Sequence, residues 1–137
     1  MSSKTFVDTS GFYALFVRKD NMHERARNAV ETAGRHGELF VTSDYVLDET
    51  ATLLKSRALA HLLPVLFKTV MESSVCTLEW MDPERFAQTQ SLFLKDSDHQ
   101  WSFTDCFSFI LMRELKSPQA LSKDEHFREA GFTPLLV

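Results

Sequence analysis

Short strand-like runs alternate with longer stretches of helical periodicity along this chain, and that alternation predicts an α/β fold with a parallel sheet. The runs Lys4–Val7, Glu38–Val41, Cys76–Trp80 and Gln119–Leu121, with Pro134–Val137 as a fifth, are too short to be independent helices and read as strands. Helices are expected over Thr9–Val17, His23–Ala33, Ser43–Lys55, Ala58–Glu72, Pro83–Leu94 and Thr104–Leu115, with a last short one over Glu125–Ala130. Gly34 and Gly131 are placed to stop the second and the last of these. Pro83 suits a first helical turn, where its missing N–H is not needed, and Asp82 before it is a natural cap. No repeat, linker or low-complexity segment interrupts the pattern, and the polar stretch Lys95–Gln100 reads as a loop.

Composition narrows the class. The 137 residues suit a single domain spanning 1–137, and 44% hydrophobic content with twelve phenylalanines supplies a core. No segment joins a positive flank to a short apolar core, and no apolar run approaches the roughly 20 residues that span a bilayer. A soluble, cytoplasmic protein with no membrane partner is therefore expected. Cys76 and Cys106 lie in apolar surroundings without metal-binding spacing, and are expected to be buried free thiols in a reducing compartment. Most of the aromatic excess is expected in the core, with Trp80 and Trp101 also suited to a dimer interface.

A net charge of −4 argues against indiscriminate coating of nucleic acid. It leaves room for a local basic rim. Lys55, Arg57, His61 and Lys68 fall in one helical stretch and Arg18, Lys19, Arg25 and Arg27 in another, although each cluster equally reads as a solvated helix face.

Four acidic residues carry the chemical interest. Asp8 ends the first strand and Asp124 follows the fourth, so both should lie at the carboxyl edge of the sheet, where open α/β sheets bind ligands. Asp105 stands near the start of a helix, where the dipole favours negative charge. Each has a plainer reading. Asp8 and Asp124 suit helix caps, and Ser102-Phe103-Thr104-Asp105 has the form of a capping box. Glu49 resists that explanation, because it flanks the apolar arc formed by Val46, Leu47, Thr50, Leu53 and Leu54 while Asp44 and Asp48 fall on the solvated side with Lys55. A carboxylate beside an apolar stripe is costly unless a positive group, a hydrogen-bond donor or a pocket wall meets it. Convergence on one sheet edge points to a shared site, and clustered carboxylates favour Mg²⁺ or Mn²⁺. The histidines His23, His36, His61, His99 and His126 show no i, i+4 pair for zinc.

The stretches Phe6-Val7-Asp8-Thr9-Ser10-Gly11-Phe12, Val46-Leu47-Asp48-Glu49-Thr50, Trp101-Ser102-Phe103-Thr104-Asp105-Cys106-Phe107-Ser108 and Leu121-Ser122-Lys123-Asp124-Glu125-His126-Phe127 resemble the successive acidic motifs of PIN-domain ribonucleases. The similarity runs from Phe6 to Phe132, in the expected order, and is strongest to the compact prokaryotic members that include VapC-type toxins. The resemblance implies a three-layer α/β/α sandwich around a parallel sheet of four to five strands. It also implies metal-dependent hydrolysis of RNA, with Asp8 and Asp105 as the main metal ligands, Glu49 completing the acidic pocket and Asp124 acting directly or through water. Thr104 would support a carboxylate or the attacking water. Leu121-Ser122-Lys123 departs from the threonine-rich form usual before the last aspartate. A toxin of this type implies an antitoxin-like protein inhibitor covering the pit, and a homodimer. Two other readings stand beside it. A non-catalytic RNA- or protein-interaction module keeps the same fold, whereas a haloacid-dehalogenase-like phosphatase would need Asp-x-Asp where this chain has Asp8-Thr9-Ser10.

Overall fold

The computed structural model describes residues 3–137. Five parallel strands form one sheet in the order β3-β2-β1-β4-β5. They are β1 (Lys4–Val7), β2 (Leu39–Ser43), β3 (Cys76–Glu79), β4 (Gln119–Leu121) and β5 (Thr133–Pro134). Helices α1 (Thr9–Phe16) and α2 (His23–Arg35) connect β1 to β2, while α3 (Asp44–Ser56) and α4 (Leu63–Glu72) connect β2 to β3. Helices α5 (Pro83–Lys95) and α6 (Phe103–Glu114) precede β4, and α7 (His126–Glu129) precedes β5. The central strand explains the layered architecture. Thr5, Phe6 and Val7 are all buried although successive residues of a strand point to opposite faces, so the sheet is covered on both. This is the α/β/α sandwich expected from the sequence.

The order of the strands places a functional crevice. The chain runs outward from β1 to β2 and β3, then returns to the other side of β1 as β4, with Phe6 opposite both Val41 and Ala120. The connections after β1 and β4 therefore diverge at their carboxyl ends, which is the switch point where such sheets leave room for a ligand. At that end Gly11 lets α1 sit directly on β4: a β-carbon there would stand 2.0 Å from the Leu121 carbonyl oxygen.

Several boundaries differ from expectation. Helix α2 runs through Gly34, where a β-carbon would meet nothing within 4 Å, and it ends instead at Arg35, with the chain turned left-handed at Gly37 by a φ of +66°. The N–H groups of Gly37 and Glu38 bond back to Gly34 and Ala33, satisfying the last carbonyls. The expected helix Ala58–Glu72 is broken at its start: Ala58 adopts φ +60°, a single 3-10 turn covers Ala60–Leu62, and α4 begins only at Leu63, with Pro64 in its first turn. The last strand pairs through Thr133–Pro134 rather than Pro134–Val137, although Leu135 and Leu136 still donate to Ala120 and Ser122. Cys106 is a buried free thiol as expected, but Cys76, on the edge strand β3, is only half-buried. Trp80 is 57% exposed, and Trp101 is half-buried, donating its indole N–H to Glu129. Among the described residues no helix is long and apolar enough to cross a membrane.

Candidate active site

The carboxyl edge of β1 and β4 opens into a pocket of about 310 Å³ whose walls include Asp8, Glu49, Thr104, Asp105 and Asp124. All four acidic residues singled out from the sequence line it, with Thr104, but Asp8 and Glu49 stand apart from the tight group that Asp105 and Asp124 form with His126. The four carboxylates arrive on different segments of the chain, and Asp8, Asp105 and Asp124 each accept a local backbone N–H.

Asp8 is the most constrained. It caps α1 by accepting from the Gly11 N–H at 2.8 Å, and the same oxygen accepts from Ser10 Oγ at 2.9 Å. Its second oxygen accepts from the buried Ser122 hydroxyl at 2.7 Å. The side chain is only 9% exposed, and burial pushes its pKa up to about 7 against the pull of Ser122, Gly11 and Ser10, with the charge of Asp124 adding to the rise. A carboxyl group so placed is half-protonated near neutrality unless a cation meets it.

Asp105 and Asp124 also combine two duties. Asp105 closes a capping box with Ser102, accepting from its N–H at 3.0 Å while the Ser102 hydroxyl accepts from the Asp105 N–H at 3.0 Å. Asp124 accepts from the His126 N–H at 2.9 Å, which orders the entry to α7. This is a two-residue side-chain turn; the helix cap itself falls on Glu125, whose side chain makes no capping bond. The capping and pocket readings, alternatives in the sequence, both hold for Asp8 and Asp105, whereas Asp124 lines the pocket without capping a helix.

Glu49 is exposed rather than pressed against the core. It accepts a 2.5 Å hydrogen bond from the Thr9 hydroxyl. On α3 the pocket wall is the stripe Val46, Glu49, Leu53 and Arg57, spaced three and four residues apart, while Leu47, Thr50 and Leu54 turn to the core. Asp44, expected among the solvated positions, is half-buried and accepts from the Met81 N–H at 3.0 Å. The basic cluster on α2 is solvated: Arg27 pairs with Glu31 on the surface, and Arg25 reaches only the terminal carbonyl of Val137.

Two residues that the sequence reading did not single out hold the pocket's carboxylates from behind its lining. His126 bridges two carboxylates, its Nδ1 lying 2.9 Å from Asp105 and 3.4 Å from Asp124. Partial burial works against its protonation, but the bond to Asp105 and the charges of Asp124 and Asp105 outweigh it and hold the imidazole above its ordinary range. Asp105, Asp124 and His126 each offer a ligand atom within 4.8 Å of the others. Ser122 is the second residue: it fixes one oxygen of Asp8, and its Oγ accepts from the Asp124 N–H at 2.9 Å, linking the first carboxylate to the backbone of the last acidic residue. The signal for Ser122 was a hydroxyl residue at the end of an otherwise apolar strand. For His126 it was the spacing Asp124-x-His126.

A five-stranded parallel sheet with acidic groups at its switch point defines a class of α/β proteins, and the comparisons specify it further. Residues 5–133 match the PIN domain, and the chain belongs to that family. It is 31% identical over 127 residues to the 23S rRNA-specific endonuclease VapC20 of Mycobacterium tuberculosis, covering 93% of this chain and 94% of that protein. It is 32% identical over 124 residues to a VapC ribonuclease of Archaeoglobus fulgidus, covering 88% and 77% respectively. The crystal structure of Mycobacterium tuberculosis VapC20, described as a sarcin-ricin loop cleaving toxin, superimposes with a TM-score of 0.83 at 28% identity, covering 96% of this chain and 97% of that one.

Proposed function

We propose that this protein is a metal-dependent ribonuclease of the VapC type that hydrolyses RNA phosphodiester bonds in the carboxylate pocket, and that residues 1–137 form one such nuclease domain. The observation that carries this reading is that Asp8, Glu49, Asp105 and Asp124, from four separate segments of the chain, line one open pocket. A buried carboxyl whose pKa is lifted to about 7 suits a site completed by a cation. The donors are nearly all carboxylate oxygens, which fit a hard divalent ion; Mg²⁺ or Mn²⁺ is the proposed cofactor.

Asp8 and Asp105 are the proposed principal ligands, with Glu49 and Asp124 completing the acidic wall. When bound, the ion supplies a lowered pKa for water and a counter-charge for the phosphate. The chain's own residues do the rest. Gly11, Ser10 and Ser122 fix both oxygens of Asp8 before any ligand arrives, which limits the reorganisation that binding requires. Ser102 and His126 hold one oxygen of Asp105, its Oδ2. Thr104 lines the pocket beside Asp105 and is the proposed hydroxyl partner of the attacking water. Hydrolysis of this kind leaves 5′-phosphate and 3′-hydroxyl ends.

As part of the same reading, a cytoplasmic toxin of this type takes RNA as substrate, forms a homodimer and is silenced by an antitoxin-like protein. The exposed apolar side chains Phe67 and Met71 on α4 and Trp80 after β3 are of the kind such protein contacts cover. The rRNA named for the mycobacterial relative is the first target to try. The test is cleavage of end-labelled RNA by the wild type and by folded Asp8→Asn and Asp105→Asn variants, with Mg²⁺, Mn²⁺ or EDTA. Cleavage is expected to require the ion, to leave 5′-phosphates and to fall at least about 100-fold in either variant, more than loss of an outer-shell group costs. Cleavage that persists in EDTA or in both variants would remove the acidic pocket from the mechanism.

A further inference from the structure

The pocket that we propose for RNA hydrolysis is lined by carboxylates, yet its substrate is a polyanion. The proposed ion offsets that repulsion at the reacting phosphate, and a cationic side chain at the mouth would offset it at the neighbouring ones. Among the described residues two basic side chains, Lys123 and Arg57, line the pocket. They are not equivalent. Lys123 donates to Asp20 at 2.7 Å and to Asn21 at 3.2 Å, so its charge is already committed. Arg57 is exposed and has no carboxylate within ion-pair distance among the described residues.

Arg57 is nonetheless held in place. Its guanidinium lies over the Tyr13 ring, 5.2 Å from the centroid, and one N–H reaches the Tyr13 hydroxyl at 3.4 Å. Its backbone N–H closes α3 on the Leu53 and Leu54 carbonyls, and the next residue, Ala58, turns the chain at φ +60°, a conformation that non-glycine residues seldom adopt. Together with Glu49 and Leu53 it forms a stripe at i, i+4 and i+8 along α3, and Thr9 and Tyr13 form the facing stripe at i, i+4 on α1. The two helices thus meet in two rungs. The first pairs Thr9 with Glu49 near the carboxylates, and the second pairs Tyr13 with Arg57 farther out. Eight residues of helix separate Glu49 from Arg57, about 12 Å along the axis at the usual rise.

From this geometry we infer that Arg57, set by Tyr13, is a substrate-binding residue that clamps an RNA phosphate flanking the one under attack. A guanidinium resting on an aromatic face with free N–H donors is suited to a phosphodiester, and its distance from Glu49 keeps it off the reacting group. The inference rests on the ribonuclease reading above. Tyr13 acts through Arg57 as a positioning residue.

The test is binding of a fluorescently labelled single-stranded RNA, measured across a range of salt in Mg²⁺, to full-length Asp8→Asn protein as a non-cleaving parent and to the same protein carrying Arg57→Ala, Arg57→Lys, Tyr13→Leu or Arg27→Ala. Arg57→Ala is expected to weaken binding about tenfold and to reduce the salt slope by about 0.7, the value for one phosphate contact on a single strand. Arg57→Lys should keep the slope while losing part of the affinity, Tyr13→Leu should weaken binding less than Arg57→Ala, and Arg27→Ala should match the parent. An Arg57→Ala slope and affinity equal to those of the parent, in a protein whose wild type cleaves RNA, would overturn the clamp and leave the ribonuclease reading standing. A parent that binds no RNA, with a wild type that cuts none, would overturn both.

Discussion

Around β1 and β4 the large side chains are sealed from water, whereas the flank made of α4, β3 and α5 buries Leu66 and Val70 but leaves several of its large side chains in contact with it. Phe6, Phe107, Phe109 and Phe127 are essentially inaccessible, while Met71, Trp80 and Leu94 are 59%, 57% and 73% exposed. Aromatic contacts run through the first region as a chain, Trp101 to Phe109 to Phe127 to Phe6. The second is pinned at one point by charge: Arg85 of α5 ties Glu79 on β3 to Glu114 on α6, and also donates to the Trp80 carbonyl. The carboxylate pocket belongs to the first region. Lining one pocket with four carboxylates, two of them within 4.8 Å of each other, needs supports that do not yield, and close packing provides them. The flank carries no such demand, and its apolar surface is free to meet another protein.

Truncation of one aromatic on each side separates the two regions most strongly. Phe109→Ala should lower unfolding stability by about 3–5 kcal/mol, and Phe93→Ala, at 43% exposure, by about 1 kcal/mol or less. Urea denaturation measures both, and equal losses would show the flank to be core after all.

A smaller effect should follow from a polar deletion within the dense region. Ser122→Ala removes the donor to one oxygen of Asp8 and the acceptor for the Asp124 N–H, at an expected cost of about 1–3 kcal/mol. Metal affinity by calorimetry should fall roughly 10- to 100-fold. Unchanged affinity would mean that Asp8 is oriented without it.

The mildest perturbation is pH. The raised pKa of Asp8 means that the folded, metal-free protein binds a proton that the unfolded chain releases, and His126 is shifted in the same direction. The contribution of Asp8 is therefore fully present below about pH 4 and is lost as pH rises through about 7. In EDTA the midpoint of thermal unfolding should fall between about pH 5 and pH 8, Mg²⁺ should restore more of it at the upper end, and Asp8→Asn should flatten the trend. A wild-type profile as flat as that of the variant would argue that the Asp8 carboxyl is ionised throughout.

The sequence made the sheet and the four acidic positions legible because both are written locally: short strand runs, cap residues and the motifs around Asp8, Glu49, Asp105 and Asp124. What escaped it depends on contacts between distant segments. His126 looked like one of several scattered histidines because its partner Asp105 lies 21 positions away. Ser122 gains its importance from Asp8, 114 positions earlier. The misplaced end of α2 has a different cause, since an exposed helical glycine such as Gly34 is tolerated and only the positive φ at Gly37 identifies the true stop. The break at Ala58 carries neither glycine nor proline. Its left-handed turn is stabilised by the Leu59 N–H bonding back to the Leu54 carbonyl at 2.8 Å, a tertiary outcome that no local residue preference announces.

Gly11 gives the pocket its gauge. Where helix and strand ordinarily stand apart by the thickness of their side chains, α1 and β4 touch main chain to main chain, and the residue at the contact also donates its N–H to Asp8. A single methyl group there would act as a wedge, driving Leu121, and behind it Ser122 and Asp124, away from the first carboxylate. The opening between the two ends of the acidic wall is thus fixed by backbone thickness, a dimension that side-chain rotamers cannot vary.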